Sequence, residues 1–209
     1  MGIKPPPPDI VIGRLPIYLR ALDALSRNEQ EITSSYELGK LLGISSAQIR
    51  KDLSHFGDFG KQGTGYQISY LTEQLRQILK VNREWAFVIM GAGLLGRALA
   101  NYNGFGDHGF KPVAIFDVDQ GKIGTKINNF TVQHINESPE VIQEHRVRIA
   151  MITTPASAAQ EIADMVIEAG VQSILSYAPI TLNVPDSIHV QYIDPVSKLQ
   201  HMTYYIDEN

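Results

Sequence analysis

The sequence predicts an α/β protein in two parts: an N-terminal winged helix-turn-helix domain, then a Rossmann-like doubly wound parallel sheet with one further helix at its end. Three observations predict it. The run Trp85–Met90 is almost continuously apolar, as a parallel strand covered on both faces must be, and it leads into Gly91, Gly93 and Gly96 at the G-x-G-x-x-G spacing. Strand and helix patterns alternate after it, which implies a parallel sheet. Before it lie two short serine-capped helices joined by a glycine turn and followed by a glycine-rich hairpin.

At 209 residues the chain is long enough for one large or two small domains, and 44% hydrophobic with 19% charged residues is the composition of a soluble globular protein. No segment is apolar for long enough to span a bilayer, and MGIKPPPPD lacks a hydrophobic signal region, so a cytoplasmic location is expected. The absence of cysteine removes disulfides, zinc–thiolate sites and thiol redox chemistry together. Any response to redox state must therefore come through a bound molecule. Residues 1–82 carry ten Lys and Arg against eight Asp and Glu, whereas residues 83–209 carry eight against fourteen. That asymmetry fits two domains with different partners, and the boundaries read as 1–82, 83–193 and a C-terminal helix over 194–209.

Residues 1–13 hold the tetraproline Pro5–Pro8 and are expected to form an extended polyproline arm. Leu15, Tyr18, Leu19, Leu22 and Leu25 recur at helical spacing, with Pro16 tolerable in the first turn. Ser34-Ser35-Tyr36-Glu37 reads as a capping box, and Leu38, Leu41 and Leu42 follow before Gly43 ends the helix. Ser45-Ser46-Ala47-Gln48 reads as a second box, opening a helix with Ile49, Leu53 and Phe56 inward. In a helix-turn-helix this second helix lies in the major groove. Its candidate DNA contacts are Ser46, Gln48, Arg50 and Lys51: Gln48 can pair bidentately with adenine, and Arg50 or Lys51 can reach guanine or phosphate. GDFGKQGTGYQI then reads as a hairpin with Lys61 and Gln62 at its tip, a wing suited to a narrow minor groove. Solvated charge and a purely dimerising helix-turn-helix are the alternatives for this segment.

Ser69 is a candidate cap for a helix through Leu71, Leu75, Ile78 and Leu79. In the turn Gly91, Ala92, Gly93, Leu94, Leu95 and Gly96, the first glycine allows a sharp bend, the second lets backbone approach a pyrophosphate, and the third lets helix pack on strand. The helix N-terminus favours the negative charge. Asp117, twenty-one residues past Gly96 and ending the strand VAIFD, can accept both hydrogen bonds of an adenosine ribose and repel a 2′-phosphate, favouring NAD(H) over NADP(H). Val118 and Lys122 are grouped with it. A strand over Thr131–Ile135, a helix with Ser138 at N-cap and Pro139 at N1, a strand over Ile149–Thr153, a helix from Ala156 to Ala169, and strands Val171–Tyr177 and His189–Ile193 complete the pattern. Loops at the carboxyl ends of strands select Thr154, Pro155, Ala178 and Pro179 as further ligand contacts. In the last helix Asp194 caps, Pro195 follows, and Val196, Leu199, Met202 and Ile206 form an apolar stripe that packs either on a second subunit or on its own sheet.

Hydride-transfer machinery is not evident. The Tyr-x-x-x-Lys pair Tyr36 and Lys40 falls in the helix-turn-helix, His108, His134, His145, His189 and His201 form no dyad with a carboxylate, and no spacing marks a metal site. A regulator is expected rather than an enzyme, with a small NAD-dependent oxidoreductase and a DNA-binding protein holding a nucleotide or coenzyme A structurally as rivals.

Together IRKDLSHFG, the GKQGTGY wing, VIMGAGLLGRAL, FDVD, TTPA and the YAP turn resemble, in order over nearly the whole chain, the Rex family of redox-sensing transcriptional repressors. The resemblance implies a homodimer that binds double-stranded pseudopalindromic operator DNA when free or NAD⁺-bound, releases it on binding NADH, and exchanges its C-terminal helix between subunits. It matches Arg50 and Lys51 to recognition-helix residues, Lys61 and Gln62 to the wing tip, and Gly91, Gly93, Gly96 and Asp117 to the dinucleotide site. It also implies that Tyr102 responds to the nicotinamide state and that Arg20 and Asp194 are its switch partners. Ser176-Tyr177 stands where the family often has Asn-Phe, and Pro195 where it has an apolar side chain; both bear on the NADH preference ratio, not on the fold.

Overall fold

Local signals in the first eighty residues become helices wherever a cap and an apolar stripe coincide. The structure, a computed structural model, describes residues 6–206 apart from Gln62 and the side chain of Lys61, so Pro5, the Gln62 contact and the last three residues lie outside the described part. The chain divides into two units, Met1–Arg83 and Glu84–Asn209.

The first unit runs α1 (Asp9–Ile12), α2 (Leu15–Arg27), β1 (Ile32–Thr33), α3 (Ser35–Leu42), α4 (Ser46–Ser54), β2 (Gly60–Lys61), β3 (Gly65–Gln67) and α5 (Ile68–Ile78). Leu15, Tyr18, Leu22 and Leu25 of α2 meet Leu38 of α3, Ile49 and Leu53 of α4, and Ile68, Leu71 and Leu75 of α5 in one buried cluster. Gly43 ends α3 at φ +67°, a left-handed position that favours glycine and sets up the turn into α4. The wing is a three-stranded antiparallel sheet in the order β1-β3-β2, with Gly65 at φ +83° passing so close to the Thr33 carbonyl that no Cβ fits.

Three sequence expectations are corrected here. Asp9–Ile12 is a helical turn rather than part of an extended arm, because the Pro8 carbonyl accepts from the N–H groups of Val11 (2.9 Å) and Ile12 (3.2 Å) and Val11 is buried. α5 starts at Ile68 with Gln67 at its N-cap, which puts Ser69 inside the first turn. Both capping boxes form only by half. Ser34 and Ser45 cap α3 and α4 by accepting from the backbone of Glu37 and Gln48. The side chains of Glu37 and Gln48 bond elsewhere, Glu37 accepting from Gln30 and Thr33.

The second unit contains β4 (Trp85–Met90), α6 (Leu94–Ala100), a 3-10 segment over Asn103–His108, β5 (Phe110–Asp117), β6 (Lys126–Ile127), β7 (Phe130–His134), α7 (Ser138–Glu144), β8 (Ile149–Ile152), α8 (Ala156–Glu168), β9 (Ser173–Ser176), β10 (His189–Tyr192) and α9 (Pro195–Thr203). The sheet order is β10-β9-β8-β4-β5-β7-β6, parallel throughout except for the β6–β7 hairpin. Alternation along β4 sends Val88 and Met90 into one core, with α7 and α8, and Phe87 and Ile89 into another, with Ala100 of α6. Strand order reverses between β4 and β8, so the crevice of a doubly wound sheet opens at their carboxyl ends.

Two crossovers depart from simple strand–helix alternation. The β5–β7 connection carries the short strand β6, and the β9–β10 connection has no helix; Ile180, Leu182, Val184 and Ile188 from that segment pack on the core in its place. Ser138 is the first residue of α7 rather than its cap. A capping box closes the preceding turn, where His134 Nδ1 accepts from the Asn136 N–H and Glu137 accepts from the His134 N–H. α9 is shorter than expected, and none of its residues is buried: Val196, Leu199 and Met202 are 58–60% exposed. In this structure the stripe therefore does not pack on its own sheet.

Candidate nucleotide cleft and nucleic-acid interface

The turn after β4 is held by contacts that only glycine permits. Gly91 lies at φ +110°, and a Cβ on Gly96 would run into the Gly91 carbonyl oxygen, so α6 sits directly against the end of the strand. A Cβ on Gly93 would meet nothing within 4 Å, leaving open space beside the backbone where α6 begins without a side-chain cap. The first N–H groups of a helix lack intrahelical partners, so this space is lined by donors at Leu94 and Leu95, both of whose side chains are exposed.

Asp117 closes one side. It is 8% exposed, its Oδ2 accepts from Ala92 N at 2.7 Å and Lys122 Nζ at 3.1 Å, and its Oδ1 accepts from Asp119 N at 2.9 Å. Burial pushes its carboxyl up, but these hydrogen bonds and the Lys122 charge outweigh that and hold it below the usual range. The Lys122 ammonium is correspondingly held above its usual range by the bond to Asp117. A carboxylate has about four acceptor positions; with Lys122 in this place one position on Asp117 remains open, and a second opens if Lys122 moves. Val118 beside it is 63% exposed.

Thr153 and Thr154 close the other side, from the end of β8. Thr153, which sequence reasoning missed, donates through Oγ1 to the carbonyls of Met90 (3.1 Å) and Gly91 (2.9 Å) and so clasps the turn. Thr154 Oγ1 is buried without a hydrogen-bond partner. A buried hydroxyl in that state calls for a polar partner; with the open Gly93 and the α6 donors it makes this cleft fit a phosphorylated dinucleotide. Pro155 caps α8, and Ala178 and the exposed Pro179 follow β9 on the same carboxyl edge of the sheet. Ser176 is buried and accepts from the Ala178 N–H at 3.3 Å, while burial pushes the half-buried Tyr177 phenol up.

Of the residues expected to form a switch, Tyr102 is 55% exposed and held edge-on by Phe105, ring centroids 4.9 Å apart. Asp194 caps α9 by accepting from the Val196 N–H at 2.9 Å. Arg20 is an exposed residue of α2, in the first unit.

In the first unit, Arg50 and Lys51 are exposed on α4, and Ser46 and Gln48 are half-buried in its first turn. Arg50 donates to Ser35 Oγ at 2.9 Å across the glycine turn. An open cleft of about 900 Å³ lies between the wing and α3–α4, lined among others by Ser34, Ser35, Arg50, Asp58 and Tyr66. The Lys61 backbone belongs to β2.

Sequence reasoning also missed Asp52, which is fully buried and bound by Arg14 and Tyr18 of the α2 segment. The signal was present: Asp52 falls at an inward position of the Ile49–Leu53–Phe56 stripe, where a carboxylate requires buried donors. Among the described residues no group of three or more His, Cys, Asp or Glu could hold a metal ion, and no helix is long and apolar enough to cross a membrane.

Comparison with known proteins covers both units. Residues 82–180 match the family described as CoA binding domain, and residues 8–54 match the one described as "Putative DNA-binding protein N-terminus". A redox-sensing transcriptional repressor Rex from Roseiflexus sp. (strain RS-1) is 50% identical over 200 residues, 96% of this chain and 91% of that protein. The crystal structure of RSP in complex with β-NAD⁺ and operator DNA is 35% identical with a TM-score of 0.91, over 97% of this chain and 93% of that one. RSP in complex with β-NADH is 34% identical with a TM-score of 0.85, over 94% and 92%.

Proposed function

The chain belongs to the Rex family of redox-sensing transcriptional repressors, and on that premise we propose that it binds operator DNA when free or NAD⁺-bound and leaves it when NADH binds. The carrying observation is the glycine turn, with open space at Gly93 and a buried Thr154 hydroxyl that has no hydrogen-bond partner, at the carboxyl ends of the sheet strands in a chain that also has a winged helix-turn-helix. It works as a regulator and not as an enzyme. Residues 1–82 are the DNA-binding domain, 83–193 the NAD(H) domain and 194–209 the exchanged segment. A protein that reads operator DNA works beside the chromosome, in the cytoplasm.

Residue roles follow from chemistry. Ser46, Gln48, Arg50, Lys51, Lys61 and Gln62 take the DNA. Gly91–Gly96, with Thr154, Pro155, Ala178 and Pro179, take the phosphates and nicotinamide side, and Asp117 with Val118 and Lys122 the adenosine ribose. Bound NADH and NAD⁺ differ by a hydride and one positive charge, so only side chains at the nicotinamide can tell them apart. Tyr102 is exposed enough to do so. Asp194 uses one carboxylate oxygen on the Val196 N–H, and its remaining acceptor capacity suits a guanidinium such as Arg20. A near-complete switch requires about 5 kcal/mol of differential affinity, which two sites in a dimer share. Coupling is reciprocal, so operator DNA weakens NADH binding by the factor by which NADH weakens DNA binding.

The test is a titration of operator duplex, enriched by the protein from a random pool, with NADH, NAD⁺, NADPH and coenzyme A in turn. Release by NADH alone is expected; equal DNA affinity under all four rejects the switch. Asp117→Ala should weaken the NADH response about tenfold or more and spare DNA binding, whereas Lys51→Ala should cost roughly 1–3 kcal/mol of DNA affinity and spare NADH binding. Removal of residues 194–209 should leave a monomer by light scattering, because the exposed Val196–Leu199–Met202 stripe is what a second subunit covers; a truncated dimer sinks the exchange.

A further inference from the structure

Gln48 is not free to choose how it presents its amide. Asp52, one helical turn on, is 0% exposed, and its oxygens take four hydrogen bonds. Oδ1 accepts from Gln48 Nε2 at 2.6 Å and Arg14 Nη2 at 2.7 Å, and Oδ2 from Arg14 Nε at 2.5 Å and Tyr18 OH at 2.5 Å. The carboxylate is therefore saturated. Burial pushes Asp52 up, but Arg14, Tyr18 and Gln48 hold it below the usual range, so it stays an ionised group that can only accept. An amide bonded to such a group must turn its NH₂ inward and its carbonyl away.

A primary amide pairs bidentately through its carbonyl oxygen and the N–H on the same side of the C–N bond; the other N–H is the one a carboxylate behind it can take. What Gln48 keeps for a partner is an acceptor beside a donor. In the major groove adenine offers a donor beside an acceptor, N6–H and N7, whereas guanine offers two acceptors, O6 and N7. We propose that the Arg14–Tyr18–Asp52 cluster is a positioning device for specificity, fixing the Gln48 amide so that α4 selects adenine at one position of its site. This rests on the DNA-binding reading above. Asp52 itself touches no base.

The experiment compares motifs enriched from a randomised duplex pool by the full-length native chain, Gln48→Ala and Asp52→Asn. In Asp52→Asn the amide can turn its NH₂ toward Gln48 once Arg14 Nη2, which donates to the same oxygen, swings aside, and that frees the Gln48 amide to flip and present donors. The native motif should contain an A·T pair preferred by about tenfold or more, the discrimination of a bidentate contact. Gln48→Ala should lose preference at that position alone. Asp52→Asn should relax it or shift it toward G·C, with the rest of the motif retained. A merely structural Asp52 would weaken binding evenly and keep the base order, and that result, or a Gln48→Ala motif identical to the native one, overturns the proposal. If Asp52→Asn does not fold, the charge-neutral pair Arg14→Met with Asp52→Asn is scored by the same criteria, since exchanging both ends of a buried ion pair is often neutral. Failure of the native chain to enrich any motif would instead reject the DNA-binding reading.

Discussion

Gly93→Ala should all but abolish NADH binding while hardly changing the melting temperature of the sheet unit, and Gly96→Ala should damage both. The two positions are three residues apart but bear different loads. Gly93 has φ −72° and ψ −171°, which alanine adopts readily, and its Cβ would enter open space. The stability cost is that of alanine at a helix N-cap, at most about 1 kcal/mol. The same methyl occupies the space where a diphosphate would approach the α6 donors. Each hydrogen bond to a charged group contributes about 1.5–3 kcal/mol, so displacing two lowers affinity roughly a hundredfold or more. On Gly96 the methyl would strike the Gly91 carbonyl and crowd Thr153 Oγ1 at 2.9 Å, forcing α6 off β4 at a cost of about 1–3 kcal/mol, typical of overpacking. Calorimetric titration with NADH and scanning calorimetry separate the cases. Undiminished NADH affinity in Gly93→Ala would place the phosphates elsewhere. In an operator assay Gly93→Ala should remain a repressor that NADH no longer releases.

The contrast explains why so much of this cleft was legible. Backbone geometry at Gly91 and Gly96 admits only glycine, so the constraint is written in residue type; Asp117 ends a strand whose apolar pattern is local. Ser34 and Ser45 cap their helices because a cap needs only the next three residues. Features that failed to show depend on partners far along the chain. Thr153 reaches back to Met90 and Gly91, and Gln48 reaches forward to Asp52 because Arg14 and Tyr18, more than thirty residues away, have already buried that carboxylate. Nor could strand periodicity reveal that Ile180–Ile188 would cover the sheet without a helix. The α9 stripe was plain from spacing, and in the single chain it stays exposed.

Asp52→Ala should be the most destabilising single change in the first unit. It strands the Arg14 guanidinium, 19% exposed, and the buried Tyr18 hydroxyl without their acceptor. Breaking a buried pair by removing one partner costs about 3–5 kcal/mol, and at roughly 0.05–0.15 kcal/mol per residue a unit of this size has little more to lose. Tyr18→Phe removes one hydrogen bond to the ionised carboxylate and should cost about 1.5–3 kcal/mol. Because the folded-state pKa of Asp52 is depressed, its contribution is fully present above the unfolded carboxylate pKa and is lost as pH falls through the lower folded value. Asp117 titrates in the same direction in the second unit. Acid should thus weaken both units of the native chain, whereas in Asp52→Ala the first unit starts weak at neutral pH and loses less on acidification. Circular dichroism melts at neutral and acid pH, with NADH affinity as an independent monitor of the second unit, read this directly. A first unit that melts at the native temperature in Asp52→Ala would mean that the buried carboxylate is not what ties α4 to α2.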